Sequence, residues 1–297
     1  MDVAVLGCGY VGLELGRQLT AAGHEPVGVR RSADGIDSIL AAGFEAVRAD
    51  VTDADSLASV PDVDAVVFAA SSGGRGAEAA REVYVDGLRT AIEQFGSRDD
   101  PPDQFVYTSS TGVYGDYGGD WVDEETPLDP TTEKTEVLAE AERVALEEGT
   151  EAGIDPTVVR FAGLYGPDRY RLTRYLDGPV TEGYLNMIHR ADAAGVVRFA
   201  LIDADEDVLL AVDDEPVSKW AFADWLADEC GVAWPEKQTV EERLAAGDLS
   251  TPAERRLRTS KRCSNALLRE LGYEFSYPTF REGYRPAVEA FRRGEYK

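Results

Sequence analysis

Short apolar runs alternate with longer amphipathic segments through the first 160 or so residues of the chain. Val3-Ala4-Val5-Leu6, residues 25–29, Ala46-Val47-Arg48, residues 65–70, 104–108 and 156–161 read as short buried strands. Between them, apolar residues recur at helical spacing from Leu13, Leu15 and Leu19, around 36–42, across 77–95 and across 133–149. Strands alternating with helices predict an α/β protein with a parallel, doubly wound sheet covered on both faces. Past Gly163 the texture changes to irregular segments rich in Arg, Tyr, Gly and Pro, with helices expected near 190–201, 217–230, 265–271 and 280–292 and a further strand at 208–212. The predicted organisation is a sheet domain over 1–162 and a smaller unit over 163–297, partly packed on the sheet. Such a unit usually closes over the carboxyl ends of the strands, on the substrate side of the crevice where ligands bind.

The turn between the first strand and first helix carries the clearest chemistry. Gly7-Cys8-Gly9-Tyr10-Val11-Gly12 places three glycines at G-x-G-x-x-G spacing, in the strand–turn–helix context that the Rossmann dinucleotide fingerprint requires. Gly7 permits the tight turn, Gly9 leaves room for a pyrophosphate against the backbone, and Gly12, helped by Gly16, lets the helix approach the sheet. Free N–H groups of residues such as Tyr10 and Val11, at the positive end of the helix, then face the anion. After the next strand an NAD-preferring chain usually places Asp or Glu against the adenosine ribose, whereas this one has Arg30 and Arg31. Two guanidiniums suit a ribose 2′-phosphate, so NADP is expected in preference to NAD.

Charge narrows the partners. The 297 residues hold 56 Asp plus Glu against 30 Lys plus Arg, a net charge of −26, and the lysines are only Lys134, Lys219, Lys237, Lys261 and Lys297. An acidic, lysine-poor surface around an ordinary core reads as halophilic adaptation, because concentrated salt screens the self-repulsion. It argues against nucleic acid or an anionic membrane as a partner. Cys8, Cys230 and Cys263 are too scattered for a disulfide framework or zinc cluster, and with His24 and His189 the only histidines no metal site is expected. Cys8 reads as a small filler in the glycine turn rather than a reactive thiol. No apolar run approaches the roughly 18–20 residues that span a bilayer, and the first strand lacks a basic lead-in. A soluble, unprocessed, cytoplasmic protein is the expectation.

Taken in order, the landmarks resemble the extended, nucleotide-sugar epimerase/dehydratase branch of the short-chain dehydrogenase/reductase superfamily. They are the motif at 7–12, Asp50-Val51, Ala69-Ala70, residues 108–115 (TSSTGVYG), 160–167 (RFAGLYGP), 186–192 (NMIHRAD), and Ser260-Lys261 ahead of Leu271-Gly272-Tyr273. The resemblance covers nearly the whole chain. It implies that Asp50 and Val51 contact adenine, that Ala69 and Ala70 line the cofactor beside the nicotinamide ribose, and that Ser110 hydrogen-bonds the reacting oxygen. Members that transfer hydride carry Tyr-x-x-x-Lys on the helix after the V-Y-G loop, the Lys lowering the pKa of the Tyr. Here, by spacing from Pro130 and Glu142, Lys134 stands at the tyrosine position and Leu138 at the lysine position, while Tyr84 replaces the Asn of the proton relay. That departure places the chain among the atypical members. Lys134, as a general acid near a positive nicotinamide, and Tyr114 of the V-Y-G loop are the substitutes the sequence offers, although a solvated helix lysine and a loop-packing tyrosine are the blander readings.

Two further segments suit an anionic ligand. Ser71 to Gly76 follows the fourth strand with several backbone N–H groups and Arg75, and Asp168 to Arg174 gathers Arg169, Arg171 and Arg174. Ser71, Arg75, Arg169 and Arg174 are therefore the expected substrate-binding residues for a small polar substrate, anionic or nucleotide-linked, although pairing with the abundant carboxylates is a near-equal alternative for the arginines. The reading is an NADP(H)-binding reductase, epimerase or dehydratase with nonstandard acid–base residues; the alternative is a non-catalytic NADP-binding sensor or assembly protein. As they do in relatives, the helices at 77–95 and 133–149 could pair two copies into a homodimer.

Overall fold

A computed structural model describes residues 1–74 and 76–296. Its centre is a seven-stranded parallel sheet. In spatial order the strands are Val208–Ala211, Asp155–Phe161, β5 (Gln104–Ser110), β4 (Ala65–Phe68), β1 (Asp2–Leu6), β2 (Glu25–Arg30) and β3 (Glu45–Arg48). The order reverses between β1 and β4, whose carboxyl ends lie side by side with Leu6 opposite Phe68. A crevice opens at that point in a doubly wound sheet because successive connections leave toward opposite faces.

Burial on both faces explains why the strands read as continuous apolar runs rather than alternating ones. Val3, Val5 and Val67 face a layer containing Leu15 and Leu19 of α1 (Tyr10–Ala21), Ile39 of α2 (Ala33–Ala42), and Val196 and Val197 of the helix Arg190–Ile202. Their neighbours Ala4, Leu6, Val66 and Phe68 face the other layer, with Leu88, Ile92, Val144 and Ala145. Each side chain's layer follows from the two-residue period of the strand.

The chain leaves the sheet after Phe161 and returns to it. The helix Arg190–Ile202 packs on α1, and Val208–Ala211 pairs with Val158–Phe161 at the sheet edge. Of the other C-terminal residues, Cys263, Leu268 and Tyr273 join the core on the sheet, while Tyr165, Phe222, Phe280 and Tyr284 pack ring against ring in a separate core, Tyr165 stacking on Tyr284 at 4.9 Å.

Two features depart from the sequence reading. The expected helix over 77–95 is two α-helices, Ala77–Arg81 and Gly87–Gly96, joined by a π-helical turn at Glu82–Asp86. Tyr84 lies in that wider turn, and its hydroxyl accepts from Ser72 N–H at 3.3 Å. Helix Thr251–Arg258 was not expected, because TPAERRLR carries no apolar stripe to mark it.

Candidate cofactor and active site

A cavity of about 560 Å³ runs along the carboxyl ends of β1, β2, β4 and β5 and gathers most of the predicted residues. Gly7, Gly9, Tyr10, Val11 and Gly12 line it at the centre, Arg30, Arg31, Asp50 and Val51 at one end, and Ala69, Ala70, Ser71, Ser110 and Lys134 around the rest, with Arg169 reaching in from beyond the sheet.

The glycine turn is fixed by backbone contacts. Gly7 and Cys8 N–H both donate to Val29 O at 3.1 Å, and Gly9 N–H donates to Gly7 O at 2.7 Å. Gly7 holds φ +83°, and a Cβ there would fall 2.2 Å from Ala70 Cα, so the turn and the end of β4 fit together only without a side chain. At Gly9 a Cβ would come 2.9 Å from Arg30 Nη1. Helix α1 begins on Gly9 with no side-chain cap and no acidic residue in its first turn, which leaves its first N–H groups for a ligand's anionic oxygens. Cys8 is packed, not reactive: burial pushes its thiol up to about 12.

At the adenosine end, Arg30 donates to Cys8 O at 3.3 Å and Arg31 meets Asp50 Oδ2 at 3.4 Å. Burial pushes the Asp50 carboxyl up, but hydrogen bonds from Thr52 N–H and hydroxyl, followed by Arg31, outweigh it and hold the group below its usual range. Ser32, which the sequence reading passed over, also lines the cavity and caps α2 by accepting from Gly35 N–H at 3.2 Å. Its signal was a serine directly before a helical stretch, an N-cap beside the arginine pair.

At the other end Ser110 lies at the last residue of β5, where its hydroxyl accepts from Gly112 N–H at 3.1 Å. Lys134, in the first turn of helix Glu133–Glu151, is exposed and lies 5.9 Å from the centroid of the Tyr84 ring. Leu138, one turn on, contributes a buried apolar wall, and Phe161 and Leu164, which the sequence reading also missed, extend it. Asp50 is the one carboxylate lining the cavity among the described residues, against the four cations Arg30, Arg31, Lys134 and Arg169. Among the described residues only Arg31 of these four pairs with a carboxylate. In a chain of net charge −26, a cation-lined crevice points to a polyanionic occupant.

Two expected site residues are not brought in. Tyr114 is buried away from the cavity: its hydroxyl donates to Asp123 O and accepts from Arg160 Nη1, both at 2.6 Å, and burial pushes its phenol up. It is a core residue, because the V-Y-G loop folds back under the sheet end. Arg174 sits on the short helix Leu172–Leu176, which packs against helix Lys219–Cys230, and burial followed by the Arg174 charge lowers the Lys219 ammonium. The aromatic anchors at Tyr170 and Tyr175 turn that helix away from the crevice. Arg75 lies outside the described residues.

A family model described as NAD(P)H-binding matches residues 7–204. The chain is similar to Protein YeeZ of Escherichia coli (strain K12), with 30% identity over 208 residues, 67% of this chain and 72% of that protein. Among solved structures it is similar to a candidate NAD-dependent epimerase/dehydratase from Methylobacillus flagellatus, with 31% identity and a TM-score of 0.76 over 98% of both chains. UDP-glucose 4-epimerase of Thermus thermophilus, in complex with NAD, shares the fold at 20% identity, with a TM-score of 0.77 over 98% of this chain and 99% of that one.

Proposed function

The chain belongs to the NAD(P)H-binding family and has the fold of the NAD-dependent epimerases and dehydratases, and on that premise we propose that it is an NADP(H)-preferring oxidoreductase of the extended, atypical short-chain dehydrogenase type. The observation that carries this reading is the pairing of an uncapped glycine turn with Arg30 and Arg31 in one cavity. Gly7, Gly9 and Gly12 with the first N–H groups of α1 would hold the diphosphate; Arg30, Arg31 and the Ser32 cap would hold the 2′-phosphate. A bound nicotinamide supplies hydride-transfer chemistry. Around it, the chain's own residues orient a small polar, anionic substrate: Ser110 bonds its oxygen, and Lys134 or a water that Lys134 holds carries the proton. Leu138 and Phe161 wall off water on that side.

Titration of the protein with NADPH and NADH in molar KCl, the medium its acidic surface suits, tests the reading. Tighter binding of NADPH is expected, with the preference lost in the Arg30→Ala/Arg31→Ala variant. Equal affinity for the two in the wild type overturns the NADP assignment, and no binding of either overturns the function.

One observation favours a second reading. Leu138, at the position where hydride-transferring relatives carry the lysine, has no proton to move and no charge to lower a neighbour's pKa, so the chain could bind NADP and report its redox state to a partner without turnover. NADPH oxidation over a panel of carbonyl compounds and nucleotide sugars supports the enzyme; tight, redox-selective binding with no oxidation supports the sensor.

A further inference from the structure

Arg169 belongs by sequence to the segment after the sheet, yet its guanidinium carbon lies 3.9 Å from the centroid of the Tyr10 ring. Tyr10 is the first residue of α1, directly after Gly9. The ring is itself held, its hydroxyl donating to Pro167 O at 2.9 Å and Arg190 flanking it at 5.1 Å. The segment that carries Arg169 is anchored at both ends. Arg169 N–H donates to Gly166 O at 2.9 Å, the Tyr170 carbonyl accepts from the Tyr296 hydroxyl at 2.6 Å, and the Tyr170 ring packs edge-on against Tyr284. Between these anchors Asp168 holds φ +66°, the left-handed region that Asp enters more readily than most L-residues.

The placement has a chemical consequence. A guanidinium resting on an aromatic face uses its π surface for that contact and leaves its in-plane N–H donors free for two oxygens at once. Arg169 has no ion pair among the described residues, although the chain holds 56 carboxylates. The uncapped first turn of α1, at Tyr10, Val11 and Gly12, lines the same cavity as Arg169.

We propose that Arg169, shelved on Tyr10, is a clamp on the diphosphate bridge of the cofactor rather than a reader of the substrate. The bound cofactor thereby ties the segment 166–171 to the glycine turn. This rests on the NADP reading and names a diphosphate ligand for a residue outside the glycine motif.

The test separates the two phosphate regions with fragments. NADPH and 2′-phospho-ADP-ribose contain the diphosphate, whereas 2′-AMP has only the 2′-phosphate end; NADH, ADP-ribose and adenosine form a parallel series. Arg169→Ala is expected to weaken NADPH and 2′-phospho-ADP-ribose by roughly tenfold or more and to leave 2′-AMP within about twofold. Tyr10→Leu, which removes the shelf but keeps the charge, should show the same pattern with a smaller loss. Unchanged affinities in Arg169→Ala, or an equal loss for all three probes, overturn the clamp while leaving the cofactor reading intact. A wild-type protein that takes up no member of either series refutes the cofactor reading and the clamp with it.

Discussion

Arg160 grips Glu142 in the protein interior, with Nε 3.1 and 3.2 Å from the two carboxylate oxygens and Nη2 2.8 Å from Oε2. Both side chains are nearly inaccessible, at 6% and 3% of their surface. The pair is linked to the site on one side and the core on the other: Ser109 donates to Glu142 at 2.5 Å, and Arg160 donates to the Tyr114 hydroxyl. Ser109 precedes Ser110, so the pair fixes the end of β5 where the proposed oxygen-binding hydroxyl sits.

Breaking the pair leaves a buried charge without a partner, which costs about 3–5 kcal/mol. Arg160→Met is therefore expected to lower stability by that order in urea unfolding. The double variant Arg160→Met/Glu142→Leu should lose less than Arg160→Met alone, because no orphaned carboxylate remains. A double variant as unstable as the sum of its singles would contradict the account.

Gly7→Ala meets backbone on both counts, a Cβ 2.2 Å from Ala70 Cα and φ +83°. Roughly 3 kcal/mol or more of stability should be lost, together with cofactor binding. Gly43→Ala is the control: its φ of +94° is strained, but no atom lies within 4 Å of the added Cβ. A loss of about 1–2 kcal/mol with unchanged cofactor affinity is expected there. Melting curves and calorimetric titration of the two variants decide the matter.

His189 caps the helix Arg190–Ile202 by accepting from Ala191 N–H at 3.2 Å, and its ring lies 3.8 Å from that of Tyr277. Burial, then the Arg190 charge, lowers its pKa from 6.5 to about 4. The unfolded chain therefore takes up the proton first, and stability falls as pH drops from about 6.5 toward 4, by up to roughly 3 kcal/mol. Burial raises Asp192 and Asp213 instead, and they act in the opposite direction: the stability they lend at low pH is lost as pH rises above the ordinary carboxylate range. Wild type minus His189→Asn isolates the histidine, since Asn still caps the helix. Parallel acid-unfolding profiles for the two proteins would rule out this assignment.

Ser110→Ala and Lys134→Met separate the proposed roles at the far end of the cavity. With a substrate in hand, loss of the Ser110 donor should lower kcat by about 10²-fold or more, and loss of Lys134 by about 10²–10⁴-fold, with the bound cofactor's affinity little changed. Unaltered turnover in Lys134→Met would assign the proton to another group.

The strand–turn–helix at the start of the chain was legible because its signals are local. A buried apolar run, glycines whose spacing follows from backbone conformation, and a helix stripe all act within about twenty residues. Arg30, Asp50, Ala69 and Ser110 were legible for a related reason: each ends a strand or lies just past one, and parallel strands bring their carboxyl ends to one edge. Leu138 and Lys134 were found through helix spacing from Glu142, which the fold uses as a buried anchor.

Tyr114, Arg174 and Arg169 are alike in sequence, each a polar side chain in a segment that reads as irregular and follows a strand, and nothing local sorts them. Tyr114 is drawn inward by Arg160, a partner 46 residues away. Arg174 is turned aside by aromatic packing, and Arg169 is held over Tyr10 from across the sheet edge. The sequence alone determined the sheet, the dinucleotide turn and the charge of the chain, since those depend on periodicity, backbone freedom and composition. Only the tertiary structure decided which loop cations face the crevice, because a side chain's direction there is set by contacts with residues far along the chain.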